Sequence, residues 1–189
     1  MHVTDATYKT LHPLIGKRRS GMASLALEVG VGTNNGYDFR PRTPVNYTPV
    51  FLDVQRPSEE LLEWNWVMGD AQYLPFRSGV FDMVLAHHVV EHLKSPDRFI
   101  GEAYRVLRGD GMLDLRTPNF LSLNAEADPT HRHRFSFIRL YGLLKRAGFS
   151  PTLEYAAASK IRPRILRKPI HLLLNLLPEE LRIRGAKIL

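Results

Sequence analysis

A chain of 189 residues with 44% apolar and 24% charged side chains can bury a sizeable core, which excludes a largely disordered protein. It contains no cysteine, so a disulfide scaffold and a cysteine-ligated zinc or iron–sulfur site are excluded. The formal net charge is +7, and residues 160–189 hold eight basic side chains against two acidic ones, so most of the excess lies in the tail. No run of 18 apolar residues is present, so no membrane-spanning helix is expected. The first twenty residues lack the apolar stretch of a signal peptide, and a reducing, cytoplasmic location is expected.

Strand-like and helix-like segments alternate along the chain. The first apolar run, Leu25–Val29, ends at the glycine-rich stretch Gly30–Gly36. Pro41 and Pro44 then argue against a regular helix over 37–48. Further runs predict strands at Val50–Val54, Val67–Asp70 and Met83–His88, the last preceded by the turn residues Arg77-Ser78-Gly79. Ser95-Pro96-Asp97 is a helix start, and Phe99, Ile100, Ala103, Val106 and Leu107 fall on one face of the helix it opens. A turn at Gly109-Asp110-Gly111 predicts a fifth strand over Gly111–Leu115. Ser136 caps a second helix with Phe137, Leu140, Tyr141, Leu144 and Ala147 inward, ended by Gly148 as the C′ residue. Pro151–Ala157 reads as a sixth strand, and a third helix runs from Pro169 to Leu177. Such alternation predicts an α/β fold built on a mainly parallel sheet, in one domain over 1–189 with a short leader (1–24) and a basic tail (160–189).

The most informative stretch is Leu27-Glu28-Val29-Gly30-Val31-Gly32-Thr33-Asn34-Asn35-Gly36. Glycines just beyond a strand let backbone approach a ligand with no Cβ in the way. The spacing is G-x-G-x-x-x-G rather than the dinucleotide G-x-G-x-x-G, and Glu28 would repel a pyrophosphate, so a nicotinamide oxidoreductase is disfavoured. An acid there suits a cofactor with an ammonium or sulfonium charge. Asp53, at the end of the second strand, can accept from both hydroxyls of a ribose. Asp70, in Gly69-Asp70-Ala71, can accept from an exocyclic adenine amine while the next N–H donates to the ring.

These features in this order resemble the class I S-adenosylmethionine-dependent methyltransferases, in the small-molecule "methyltransferase type eleven" branch. The resemblance lies in Leu27–Gly32, Leu52-Asp53, Gly69-Asp70-Ala71, Leu74-Pro75-Phe76, Phe81–Val84, His88–Leu93 and Glu102–Gly111. It implies a Rossmann-like, doubly wound, mostly parallel seven-stranded sheet whose last strand, Arg182–Leu189, is antiparallel beside Pro151–Ala157. It implies S-adenosyl-L-methionine as cofactor, with Glu28, Gly30 and Gly32 on the methionine portion, Asp53 at the ribose, Asp70 and Ala71 at the adenine, and Asn34 and Val54 also in the cofactor-binding set. His87, at the end of the fourth strand, would face the methionine end. The implied reaction is methyl transfer to a small-molecule or glycan- or lipid-linked acceptor. The alternative is a methyltransferase-like interaction module that holds cofactor weakly or not at all, motivated by the proline-broken segment after Gly36.

Histidines cluster at 87, 88 and 92 and again at 131 and 133. His88-Val89-Val90-Glu91-His92 matches the H-x-x-E-H pattern of zinc proteases. It begins where a strand ends, so local packing is expected instead and no metal is assigned. The segment Asp128–Ser136 follows the fifth strand and carries two histidines and two arginines, which can bind an anionic acceptor and take its proton. His131 is the first candidate base and His87 the second. Residues 170–177 form an apolar stub between basic runs, expected to pack against protein, as a sheet cover or in a homodimer, rather than on an anionic membrane. No base-reading motif supports a nucleic-acid partner.

Overall fold

The computed structural model of the chain describes residues 23–32, 41–59, 64–120, 128–153 and 180–188. They form a seven-stranded sheet ordered β3-β2-β1-β4-β5-β7-β6. In chain order the strands are β1 (Ser24–Val29), β2 (Tyr47–Asp53), β3 (Trp66–Met68), β4 (Phe81–His87), β5 (Leu107–Pro118), β6 (Phe149–Leu153) and β7 (Glu180–Lys187). Two helices are described, α1 (Pro96–Val106) after β4 and α2 (Phe137–Arg146) before β6. Strands β3, β2, β1, β4 and β5 pair in parallel, and β7 is antiparallel to both β5 and β6. The expected class I sheet with its antiparallel last strand is therefore present.

The central strands read as continuous apolar runs because both their faces are covered. Leu25, Leu27 and Val29 of β1, Val84 and Ala86 of β4 and Leu113 and Leu115 of β5 enter one cluster with Phe99, Ile100, Ala103 and Val106 of α1 and Leu140 and Leu144 of α2. The alternate residues Ala26, Met83 and Leu85 form a second, smaller cluster with Tyr47 and Met112. Alternation along each strand assigns the two clusters to opposite faces.

Several boundaries differ from expectation. Strand β2 begins at Tyr47, because Tyr47–Pro49 pair in register with Ser24–Ala26 despite Pro49. Gly109-Asp110-Gly111 is no turn ahead of the fifth strand but a bulged interior of β5: pairing passes from Phe81↔Leu107 directly to Met83↔Met112. The fold-back is tight, since a Cβ on Gly111 would stand 2.9 Å from Leu107 Cδ2 and 3.1 Å from the Arg108 carbonyl. The bulge lets Arg108 reach the buried Asp82, whose Oδ2 accepts the Leu25 amide at 2.6 Å. Strand β6 begins at Phe149, and the predicted continuation over 154–157 lies outside the described residues. Strand β7 covers Glu180–Lys187 instead of Arg182–Leu189. The predicted helix Pro169–Leu177, with its apolar stub, also lies outside the described residues. None of the described helices is long and apolar enough to cross a membrane.

Helix α2 begins as expected, with Ser136 Oγ accepting the Arg139 amide, and ends at Gly148, whose φ of +97° lies in the left-handed region. Ser95 holds the N-cap position of α1 but its hydroxyl makes no capping bond. Its amide donates to Gln72 Oε1 at 2.8 Å, tying α1 to the segment after β3. A second tie comes from the other end of α1. Arg105 donates to the Phe76 carbonyl at 2.7 Å, the Leu74 carbonyl at 2.9 Å and Glu102, while Glu102 Oε2 accepts the Leu74 amide at 2.8 Å. The two ties hold residues 72–76 along the length of α1.

The Glu102 carboxyl is held below its ordinary range by its hydrogen bond with Arg105, against the opposing effect of burial. Its folded value lies below its unfolded one, so its contribution is complete above about pH 4.5 and is lost as pH falls through the lowered value. Glu102→Gln is expected to flatten the acid limb of stability, followed by circular dichroism melts between about pH 6 and pH 3. Arg105→Ala is expected to cost about 1–2 kcal/mol at neutral pH, because the Leu74 and Phe76 carbonyls lose their charged donor.

Candidate functional site

All five parallel strands carry their carboxyl ends to the same edge of the sheet. Successive connections leave in opposite directions at β1 and β4, which opens a crevice between them. Glu28 occupies the penultimate position of β1, opposite Phe51 and Leu85, and is 1% exposed. Its carboxylate accepts the Arg42 and Thr43 amides at 2.9 and 3.1 Å and the Thr43 hydroxyl at 3.0 Å, all through Oε2. The segment after the glycine loop, irregular over 41–46 as the two prolines predict, thus serves to satisfy a buried acid.

Gly30 and Gly32 both adopt left-handed φ, at +68° and +75°. A Cβ on Gly30 would strike Val89 Cγ2 at 2.3 Å, so this glycine is required by the turn that follows β4. Among the described residues, nothing lies within 4 Å of a Cβ built on Gly32. Its amide donates to Asp53 Oδ2 at 2.9 Å, and Asp53 Oδ1 accepts the Gln55 amide at 3.0 Å. Val54 next to it is 65% exposed, an apolar side chain left on the surface beside the acid. Asp70 closes an Asx turn by accepting the Gln72 amide at 2.8 Å, and Ala71 is buried. The structure therefore brings Glu28, Gly30, Gly32, Asp53 and Val54 to one edge, with Asp70 and Ala71 following β3. Asn34 lies outside the described residues.

His87 is the last residue of β4 and is buried, with Nε2 3.2 Å from Asp114 Oδ1 on β5. Arg184 of β7 donates to the other oxygen of Asp114 at 3.1 Å. Burial acts to raise the Asp114 carboxyl, but the hydrogen bonds from His87 and Arg184 hold it below its ordinary range. His88 has a φ of +58°, uncommon for a side-chain-bearing residue, and turns outward to Glu180 at 2.8 Å. Hydrogen bonds to Glu180 and Glu91 raise its pKa to about 9, while its bond to His88 brings Glu180 down to about 2.

Residues 88–92 are a turn rather than a helix, so the H-x-x-E-H pattern does not stack its two histidines one helical turn apart. His92 meets His131 instead, with ring centroids 4.8 Å apart. The Glu91 carbonyl accepts the Arg132 and His133 amides at 2.8 and 3.1 Å, which lashes the 128–136 segment to this turn. The Glu91 side chain, 2% exposed, accepts the Thr117 hydroxyl at 3.0 Å. The supporting roles of Arg42, Thr43, Asp114 and Thr117 had no signal in sequence, since each depends on pairing between distant segments.

Residues 27–114 match a family model described as a methyltransferase domain. A Mycobacterium tuberculosis protein named "Probable S-adenosylmethionine-dependent methyltransferase" is 38% identical over 135 residues, covering 65% of this chain and 47% of that protein. A Mycobacterium ulcerans relative named phthiotriol/phenolphthiotriol dimycocerosates methyltransferase 1 is 38% identical over 108 residues, covering 49% of this chain and 38% of its own length. The chain thus spans about half the length, or less, of these relatives. Among solved structures, a SAM-dependent methyltransferase from Archaeoglobus fulgidus superposes with a TM-score of 0.59 at 18% identity, covering 96% of this chain and 92% of that one. The [4+2]-cyclase SpnF superposes with a TM-score of 0.61 at 17% identity, covering 95% and 80%. Residues 27–114 thus match a methyltransferase-domain model, and they lie in a sheet whose strand order and antiparallel last strand are those of the class I S-adenosylmethionine-dependent methyltransferase fold.

Proposed function

We propose that the chain binds S-adenosylmethionine at the edge formed by Glu28, Gly32 and Asp53 and transfers its methyl group to a small-molecule or glycan- or lipid-linked acceptor. The observation that carries this reading is the bond from the Gly32 amide to Asp53 Oδ2, beside a glycine that no other described residue crowds. It presents a carboxylate at the end of β2 next to backbone that a ligand can approach closely. Each Asp53 oxygen accepts one amide, which leaves lone pairs for a pair of ribose hydroxyls. Val54 offers an apolar surface to an adenine face, and the clamped segment after β3 carries Asp70 and Ala71 to its edge. The negative charge of Glu28 suits a cofactor that carries an ammonium group and a sulfonium. The cofactor supplies an activated methyl group on a sulfonium, so the protein's task is alignment, exclusion of water and removal of the acceptor's proton.

For that proton, His131 is favoured over His87. Nε2 of His87 is engaged by Asp114 inside the sheet. His131 stands in the segment after β5, at the carboxyl edge where an acceptor would enter. The name of the M. ulcerans relative gives a lipid-sized acceptor, and such a class suits this reading of the chain.

The alternative is an interaction module in which the cofactor edge is filled by the chain itself. It is favoured by the donors of Arg42 and Thr43 on Glu28. Calorimetric titration with S-adenosylmethionine and with its demethylated product separates the two readings, since the module shows no saturable heat. Asp53→Ala is expected to weaken cofactor binding by at least about tenfold, because two hydroxyls lose a charged acceptor. His131→Ala is expected to lower turnover of an identified acceptor while leaving the cofactor dissociation constant unchanged. Full turnover in that variant would remove His131 from the reaction.

A further inference from the structure

Glu91, His92 and His131 come together from a turn and a segment about forty residues apart, and each offers a ligand atom within 4.8 Å of the other two. We infer that these three side chains bind a divalent cation of the zinc, cobalt or nickel class at the acceptor end of the site.

The first support is Glu91. Its carboxylate is 2% exposed, and Oε2 is held by Thr117. Oε1 is buried, and its contact among the described residues is a long one, His88 Nδ1 at 3.5 Å. A buried carboxylate oxygen held only by so long a contact keeps a lone pair to offer, and a cation would take it.

The second support is the proton count at His92. The Thr130 hydroxyl has one proton, and it donates to Asp128 Oδ1 at 2.6 Å, a short bond to a charged acceptor. Thr130 Oγ1 also lies 2.9 Å from His92 Nδ1. With its proton committed to Asp128, Thr130 can only accept there, so Nδ1 carries a hydrogen and Nε2 is the nitrogen left to face a ligand. Thr130, with the Asp128 carboxylate behind it, thus orients the His92 ring as the outer partner of a ligating histidine does. Asp128 also flanks His131, with Oδ2 3.7 Å from Nε2.

Two imidazoles and one carboxylate, with no cysteine in the chain, form a donor set for borderline transition ions rather than for magnesium or calcium. A tetrahedral site with metal–nitrogen distances near 2.0–2.1 Å needs ligand atoms about 3.3 Å apart. Closing from 4.8 Å takes side-chain rotations on the order of 1 Å, with both backbones already lashed by the Glu91 carbonyl. The zinc-protease pattern is not what forms the site: His88 turns to Glu180, and His131 takes the place beside His92.

Three protein ligands leave a coordination position open. As to its use, the inference rests on the methyl-transfer reading, with His131 acting on the acceptor's proton through the cation it ligates rather than as the base itself. An acceptor hydroxyl bound there would lose its proton to water more readily. Its oxygen would then form the bond to the methyl carbon while the carbon–sulfur pair returns to sulfur.

The test uses the untagged full chain, stripped with a chelator and titrated with cobalt(II) and then zinc, without cofactor or acceptor. One equivalent of cobalt is expected to bind, with a visible ligand-field band that zinc displaces. His131→Ala and Glu91→Gln are each expected to weaken cobalt binding at least about tenfold, while Asp53→Ala binds it as the parent does. Circular dichroism checks the fold of each variant, and His131→Ala, in an excursion outside the sheet, decides the matter if Glu91→Gln does not fold. Absence of saturable cobalt binding, or unchanged affinity in His131→Ala, overturns the inference. Cofactor binding measured in chelator is a separate readout: its failure with cobalt binding intact sinks the methyl-transfer reading alone.

Discussion

The pairing of β1 with β2 on one side and β4 on the other is the constraint from which the rest of the molecule follows. Parallel strands put their carboxyl ends at the same edge, so an acid near the end of each strand arrives beside the others whatever their separation in sequence. Glu28 and Asp53 are 25 positions apart, yet the β1–β2 register and the amide of Gly32 place them in one neighbourhood. The Gly30 amide adds to this by donating to the Leu52 carbonyl at 2.8 Å, continuing the ladder just past the end of β1. A slip of one residue in this pairing would carry Glu28 to the face packed by α1 and α2, where no donors await it.

The functional edge is built from polar groups with specific partners. Glu28, His87, Glu91 and Asp114 are all buried, and each meets a donor or an ion-pair partner from another segment: Arg42 and Thr43, Asp114, Thr117, and Arg184 respectively. Such a network costs heavily if any member is left unpaired, which fixes the relative positions of β1, β4, β5 and β7 more narrowly than apolar packing can. Precision of this kind is what an alignment-limited reaction requires.

Much of this was legible in sequence where chemistry and strand ends coincide. The acid two residues before Gly30, the acid ending β2 and the Gly69-Asp70-Ala71 step sit at fixed distances from apolar runs, so their common edge could be foreseen. The helix faces of α1 and α2 were equally plain from their periodicity. What sequence hid was long-range geometry. The Gly109-Asp110-Gly111 stretch has turn chemistry, but its neighbours pair with β4 on either side of the bulge and absorb it into β5. His88, Glu91 and His92 read as one motif, yet Glu180, 92 positions away, draws His88 off and leaves His131 to meet His92. Neither redirection has a local signal, because both depend on which strand lies next to which.

The antiparallel strand β7 bears on the timing of folding. It is inserted between β5 and β6, and it is the pairing partner of β6 among the described residues. Among the described residues, β5 has an open edge along Met112–Pro118 during synthesis, and β6 lacks its partner strand, until residues 180–187 emerge. Open edges of that length are templates for pairing with other chains. The Arg184 bond that restrains Asp114, and through it His87, is equally the last to form. The five parallel strands can therefore assemble as an early unit. The ordering of the His87–Asp114 end of the edge waits for the final strand, a stage at which a nascent chain is most exposed to misassociation.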